Sequence, residues 1–278
     1  VTLVGMAQKK TSLAWKILIG VLVAFLVLIL LAEFGLRWFM GNQMKDQFTQ
    51  AAKDQGIESQ EDPNISFGTT PILLGLFGGK LSEMNMETPS TLQIDGTEIK
   101  GQPATNVHIE DMTLSDDPVA GSLRASTKVP DDYLLATFQK GIADESGSEQ
   151  VGNLVVTNIT ANDAENLLDV EFAGGLANLA LEPKAQDGNL SITAKNASLL
   201  GFDLPKEATD AISTALQKGM KDQFSGEGLS VDEVDVADGE LNLTITGQDV
   251  PMSELGSAAN AAGKGAKEGA PAPAQQGR

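Results

Sequence analysis

Residues 13–32 read LAWKILIGVLVAFLVLILLA, an apolar run in which Lys16 is the single charge. A helix over this run rises roughly 30 Å at 1.5 Å per residue, the thickness of a bilayer core. Such a stretch cannot be left in water, so it fixes where the rest of the chain has to be. Both tryptophans of the chain, Trp15 and Trp38, flank it, where amphipathic rings settle at the headgroup level. Lys9, Lys10 and Lys16 stand at its start. The positive-inside rule therefore places residues 1–12 in the cytoplasm and the bulk of the chain outside, as a single-pass cell-membrane protein. A cleaved signal peptide is the competing reading. The run outlasts a typical signal core, and Leu30-Leu31-Ala32 lacks a small residue three places before a cut. The expectation is an uncleaved anchor.

The charge is distributed unevenly. Residues 1–40 hold Lys9, Lys10, Lys16 and Arg37 against Glu33. Taking these from the 19 basic and 38 acidic residues of the chain leaves 15 and 37, or −22 for the remainder. A surface of that sign repels phosphate backbones, which excludes nucleic acid as a partner. There is no cysteine, so an extracytoplasmic domain here is held by burial, without disulfides, thiol catalysis or iron–sulfur ligation.

Beyond the anchor, residues 42–57 are predicted as a separate helix, with Asn42 as its cap and Met44, Phe48, Ala51, Ala52 and Gln55 along one stripe. Residues 63–80 form a Gly/Pro-punctuated apolar segment. Period-two alternation then takes over: Val107 and Ile109 against Asn106, His108 and Glu110, and Leu123, Ala125, Thr127 and Val129 against Ser122, Arg124, Ser126 and Lys128. These are half-buried antiparallel strands. A short helix follows Pro130, with Leu134, Leu135 and Phe138 inward. More strands surround Leu168–Val170–Phe172 and Leu190–Ile192. Pro205 opens a long helix whose apolar positions are Ala208, Ala211, Ile212, Ala215, Leu216, Met220 and Phe224. Two strands joined by Asp238-Gly239 close a domain spanning 42–255, and residues 256–278, rich in Gly, Ala and Pro, read as a disordered tail. The pentapeptide at 44–48 recurs at 220–224, consistent with two related halves. The expected fold class is α+β, with a curved antiparallel sheet around long helices.

Chemical motifs are sparse. His108, the single histidine, sits on the polar side of a strand and reads as solvated. The acidic stretch 235–240 lacks calcium-loop spacing and reads as a hairpin turn. No catalytic residue, metal ligand or cofactor motif is identified. The segment from Phe67 to Leu81 is the informative one: Phe67, Ile72, Leu73, Leu74, Leu76 and Phe77 are interrupted by four glycines. It has two readings, ordinary core packing or the apolar lip of a lipid groove facing the membrane.

Several landmarks occur in a fixed order. They are Asp62-Pro63-Asn64-Ile65-Ser66-Phe67, the segment from Pro71 to Gly78-Gly79-Lys80-Leu81, Gly121-Ser122-Leu123-Arg124-Ala125-Ser126 before Val129-Pro130, Gly201-Phe202-Asp203-Leu204-Pro205, and Gly239 with Thr246-Gly247-Gln248-Asp249-Val250. In these the chain resembles the LmeA-like phospholipid-binding proteins of actinobacterial cell envelopes, over roughly residues 42–252. It departs from them at Phe224-Ser225-Gly226-Glu227-Gly228-Leu229, where a Leu-Pro-x-Gly-like turn is expected. The resemblance implies a tubular lipid-binding fold, a phospholipid ligand such as phosphatidylinositol or its mannosides, and a role in lipoglycan assembly. It supplies no catalytic residues.

Three functions follow as expectations. The first is a lipid-binding module whose groove is lipped by Phe67, Ile72, Leu73, Leu76 and Phe77 and lined by Ile212, Leu216 and Met220 of the long helix, with Lys80, Lys100, Arg124 or Lys128 at its mouth. Each buried methylene contributes about 0.8 kcal/mol, so acyl burial alone would supply useful affinity. The second is a scaffold for an envelope glycosyltransferase. The third, an enzyme working with Asp and Glu pairs, has no motif behind it.

Overall fold

The computed structural model describes residues 13–54, 56–57, 61–220 and 228–253. The tail at 256–278, the segment 1–12 and the second copy of the pentapeptide beyond Met220 lie outside the described residues, as does most of the turn at 224–229.

The first helix, α1 (Leu13–Asp54), runs without interruption through the apolar stretch and past Asn42. No cap forms at Asn42, because Leu36, Met40 and Met44 repeat at four-residue spacing and keep one face against the domain. Tertiary packing of that face outweighs the local capping preference. The helix ends in a Schellman arrangement. Gly56, in the left-handed conformation, donates to the Lys53 carbonyl at 2.8 Å, and Ile57 donates to Ala52 at 3.0 Å while burying its side chain.

The elements that follow are β1 (Asn64–Phe67), α2 (Ile72–Gly78), β2 (Lys80–Thr88), the hairpin β3 (Gln93–Asp95) and β4 (Glu98–Lys100), β5 (Thr105–Thr113) and β6 (Val119–Pro130). Then come α3 (Asp131–Ser146), α4 (Glu149–Val155), β7 (Val156–Asn162), β8 (Leu167–Phe172), β9 (Ala177–Gln186), β10 (Asn189–Leu199) and β11 (Phe202–Asp203). The last are α5 (Lys206–Met220), β12 (Leu229–Ala237) and β13 (Glu240–Pro251). All strand pairings are antiparallel. Six strands form one sheet in the order β1-β2-β5-β6-β13-β12, and five form a second in the order β11-β10-β9-β8-β7. The fold is α+β, as expected.

Alternation decides which side of each sheet is buried. In the first sheet Leu81, Met84, Ile109 and Leu123 share a core with Ile72 and Ala120, and α1 adds Leu36, Met40 and Met44. In the second sheet Val156, Ile159, Ala161, Leu168, Val170, Leu181 and Ala194 form another core. Leu134, Leu135 and Ile142 of α3 and Ile212 and Leu216 of α5 pack on it. Register shifts at Val156/Asn158 and Ala194/Asn196 mark bulges, which bend strands and let the sheet curve over its helices.

Two sequence expectations about helix faces change. Phe138 is 42% exposed instead of pointing inward. In α5 the buried positions are Thr209 and Ser213, with Ile212 and Leu216 half-buried, while Ala211 and Ala215 face solvent. A polar contact sets this rotation: the Ser213 hydroxyl accepts the Ala194 backbone N–H at 2.9 Å, beside the bulge in β10.

The sheets join at β12. Its Val231 N–H donates to the Gly188 carbonyl, in the β9–β10 turn, at 2.8 Å, and its Val236 N–H donates to Asn166 Oδ1, in the β7–β8 turn, at 3.0 Å. One end of the second sheet is thereby fixed to the edge of the first. The opposite turns of the second sheet project away from it.

Candidate functional site

Two exposed apolar surfaces stand out from this framework. The first is α2. Pro71 precedes it and offers no side-chain cap, so the first N–H groups of the helix need an outside acceptor. Glu33 of α1 provides it: Oε1 accepts the Ile72 N–H at 2.8 Å and Oε2 accepts the Leu73 N–H at 3.0 Å. Arg37, one turn further along α1, donates from Nε to Glu33 at 2.7 Å. Its terminal nitrogens donate to the carbonyls of Phe67, Gly68 and Thr70 at 2.7–2.9 Å. A carboxylate and a guanidinium thus saturate both the start of α2 and the loop before it. Gly75 completes the seat, because a Cβ there would collide with the Lys80 carbonyl oxygen of β2. Gly79 closes the helix in the left-handed conformation at φ 67°.

Held this way, α2 buries Ile72 (2% exposed) and half-buries Leu73. It presents Leu74, Leu76 and Phe77 outward, with Phe77 91% exposed. Phe67 packs against the first core. Of the five expected lip residues, Phe67 and Ile72 therefore support α2 from below, and Leu76 and Phe77 form its free surface. Ile212 and Leu216 belong to the second core, and the side chain of Met220 lies outside the described residues. Phe67 and Ile72 pack with the first core, and Ile212 and Leu216 with the second.

The second surface carried no expectation. At the end of the second sheet facing away from β12, three connections converge: α4 into β7, β8 into β9, and β10 into β11. Leu154, Val155, Leu176, Leu199, Leu200 and Phe202 are all exposed there, Phe202 by 78%. The connections are stitched together by Leu200 N–H to Leu176 carbonyl (2.7 Å) and Ala173 N–H to Val155 carbonyl (3.1 Å). Leu200 sits at φ 53°, a left-handed conformation that branched aliphatic residues avoid. A sequence signal was present: Leu199-Leu200-Gly201-Phe202 puts three large apolar residues on a glycine turn, where polar residues are the rule.

The polar face of the first sheet carries two shallow concavities, of about 280 and 330 Å³. Asn64, Glu87 and Asn106 line both, and neither has the apolar lining of an acyl groove. His108 borders the first. Its Nδ1 lies 2.6 Å from Asn85 Oδ1 and its Nε2 lies 3.4 Å from Glu110. Among the described residues no group of three or more His, Asp or Glu could hold a metal. The basic residues expected at a mouth are mostly engaged elsewhere: Arg124 with Asp232 and Glu233, Lys128 with Glu240, and Lys100 with Glu98.

An α+β domain with exposed apolar surfaces, preceded by one helix long and apolar enough to cross a membrane, has the features of an apolar-ligand-binding class of protein. The particular family is given by comparison. The profile of the LmeA-like phospholipid-binding family matches residues 31–246, and the chain belongs to that family. No curated protein and no solved structure is significantly similar to it.

Proposed function

We propose that the chain is a membrane-anchored, extracytoplasmic phospholipid-binding protein. In this reading acyl chains insert between the second sheet and helices α3 and α5 through the rim formed by Leu154, Val155, Leu176, Leu199, Leu200 and Phe202. Family membership supports phospholipid as the ligand, and the apolar helix supports an anchor. The observation that carries the placement is the rim: six large apolar side chains held in water by three turns, one of them in a strained conformation. Binding of phosphatidylinositol or its mannosides, and a part in lipid or lipoglycan assembly of the cell envelope, complete the proposal. Nothing in it requires a catalytic group.

The test uses a chain beginning at Glu33, which retains the α1 face packed on the first core. Purified from membranes without detergent and measured by native mass spectrometry, it should carry phospholipid. A Leu200→Asp/Phe202→Asp variant, which touches no buried side chain, should be empty. An empty parent that also ignores added phosphatidylinositol would sink the proposal. In that event the scaffold reading takes its place, and crosslinking in the native envelope should capture a glycosyltransferase.

A further inference from the structure

Charge ends the apolar run at Glu33, and the Glu33 carboxylate is hydrogen-bonded to the first two N–H groups of α2. This fixes the height of α2. If α1 spans a bilayer over residues 13–32, α2 lies within one side-chain length of the level at which the chain leaves it. No residue from Gly68 to Gly79 is charged. The exposed side of α2 carries Leu74, Leu76 and Phe77, while Phe34, Trp38 and Phe39 are exposed on α1 around the same level. Lys80 follows at once, exposed and in no ion pair among the described residues, at the height of lipid phosphates. Exposed apolar side chains therefore lie on both the membrane-length part of α1 and the adjoining α2, with the charges of Glu33 and Arg37 between them engaged in hydrogen bonds.

The strands agree with this placement. β1 runs back along α1 towards α2, so β2, β5, β6, β13 and β12, paired antiparallel in turn, have the ends at Lys80, Thr113, Val119, Pro251 and Leu229 on the α2 side. The β12–β13 turn at Asp238 is at the other end.

We propose that α2 is a membrane seat: Leu74, Leu76 and Phe77 insert into the leaflet from which α1 emerges, and the Glu33–Arg37 pair locks the domain to α1 at that height. The partner is the lipid bilayer itself. Burial of Ile72 and Phe67 in the first core makes the seat rigid, so the domain stands with the strands of its first sheet along α1. The inference rests on the anchored reading of α1 and is independent of where acyl chains bind.

The chain has no cysteine, so single sites can be labelled in the full-length protein. Phe77→Cys and Asp238→Cys variants, each carrying an environment-sensitive nitrobenzoxadiazole probe, would be reconstituted in phosphatidylcholine vesicles with lipid-attached nitroxide near the headgroups. Quenching should be several-fold stronger at position 77 than at 238. Adding Glu33→Ala, or separately the exposed substitution Leu74→Asp, should bring quenching at 77 down towards the level at 238 while the protein still floats with the vesicles. Equal quenching at the two positions in a floating protein overturns the seat. Undiminished quenching in a folded Glu33→Ala protein overturns the lock. A chain that does not float overturns the anchored reading, and the seat with it.

Discussion

At the residue scale, the most informative position is Leu200. A branched aliphatic in the left-handed region costs roughly 1 kcal/mol relative to glycine or asparagine, and this one is also exposed to water. Nothing in its folded contacts repays that cost. Leu200→Asn should accordingly raise the urea midpoint, by about 1 kcal/mol in unfolding free energy, while weakening phospholipid retention; a variant less stable than the parent would show that the side chain is structural. Glu182 behaves differently. It lies between Lys184 Nζ at 2.7 Å and Lys195 Nζ at 2.9 Å. The hydrogen bond from the Lys184 ammonium is the largest cause holding its carboxyl below the ordinary glutamate range; burial opposes it, and Lys195 adds to the lowering. A carboxylate depressed in the folded state stabilises above its unfolded value, near pH 4.3, and loses that contribution as pH falls through the folded value. The Tm deficit of Glu182→Gln measured at pH 7 should therefore shrink below about pH 4.

Among the elements, α1 and α2 form one mechanical unit. From Glu33 to Asp54 the helix rises roughly 33 Å at 1.5 Å per residue, about the length of the longer strands of the first sheet at 3.3 Å per residue. The apolar helix thus continues as part of the wall of the domain, and its Leu36, Met40 and Met44 pack against the first core. Seven residues of α2 would be marginal as an isolated helix; Glu33, Arg37 and the close approach at Gly75 make up the difference. Gly75→Ala drives a methyl into the Lys80 carbonyl, so α2 has to lift from β2. A loss of about 1–3 kcal/mol is expected from overpacking, read by urea titration, with quicker proteolysis between α1 and β2. In α5 a single hydroxyl, Ser213 on the Ala194 N–H, turns the helix so that its alanines face water. A purely apolar count places Ile212 and Leu216 on the core correctly but misplaces Ala211 and Ala215, because burying the polar backbone at a bulge without a partner costs more than burying two methyl groups gains.

For the molecule as a whole, the −22 charge beyond residue 40 sets how it meets lipid. An acidic domain is repelled by anionic bilayers, and salt screens that repulsion over a Debye length of about 10 Å at 0.1 M. Exchange of phospholipid between the chain beginning at Glu33 and phosphatidylglycerol-rich vesicles should quicken between about 20 and 300 mM salt, the opposite sign to a polybasic membrane binder. Slowing by salt would reveal a local basic contact. The exposed apolar surfaces lie at two separate places, α2 beside α1 and the rim beyond the second sheet.

Much of this was legible in the chain. The apolar run, the alternation of Val107–Ile109 and Leu123–Val129 and the helix after Pro205 all follow from periodicity, which acts locally. The importance of the segment from Phe67 to Leu81 was also visible. Its division into buried Ile72 and exposed Phe77 was not, since that depends on Glu33 and Arg37, some forty residues away in sequence. Nor could spacing reveal the rim, because Leu154, Leu176 and Leu200 meet only when the second sheet pairs. Periodicity specifies which face of an element is apolar; only the three-dimensional pairing of elements decides which of those faces stay uncovered.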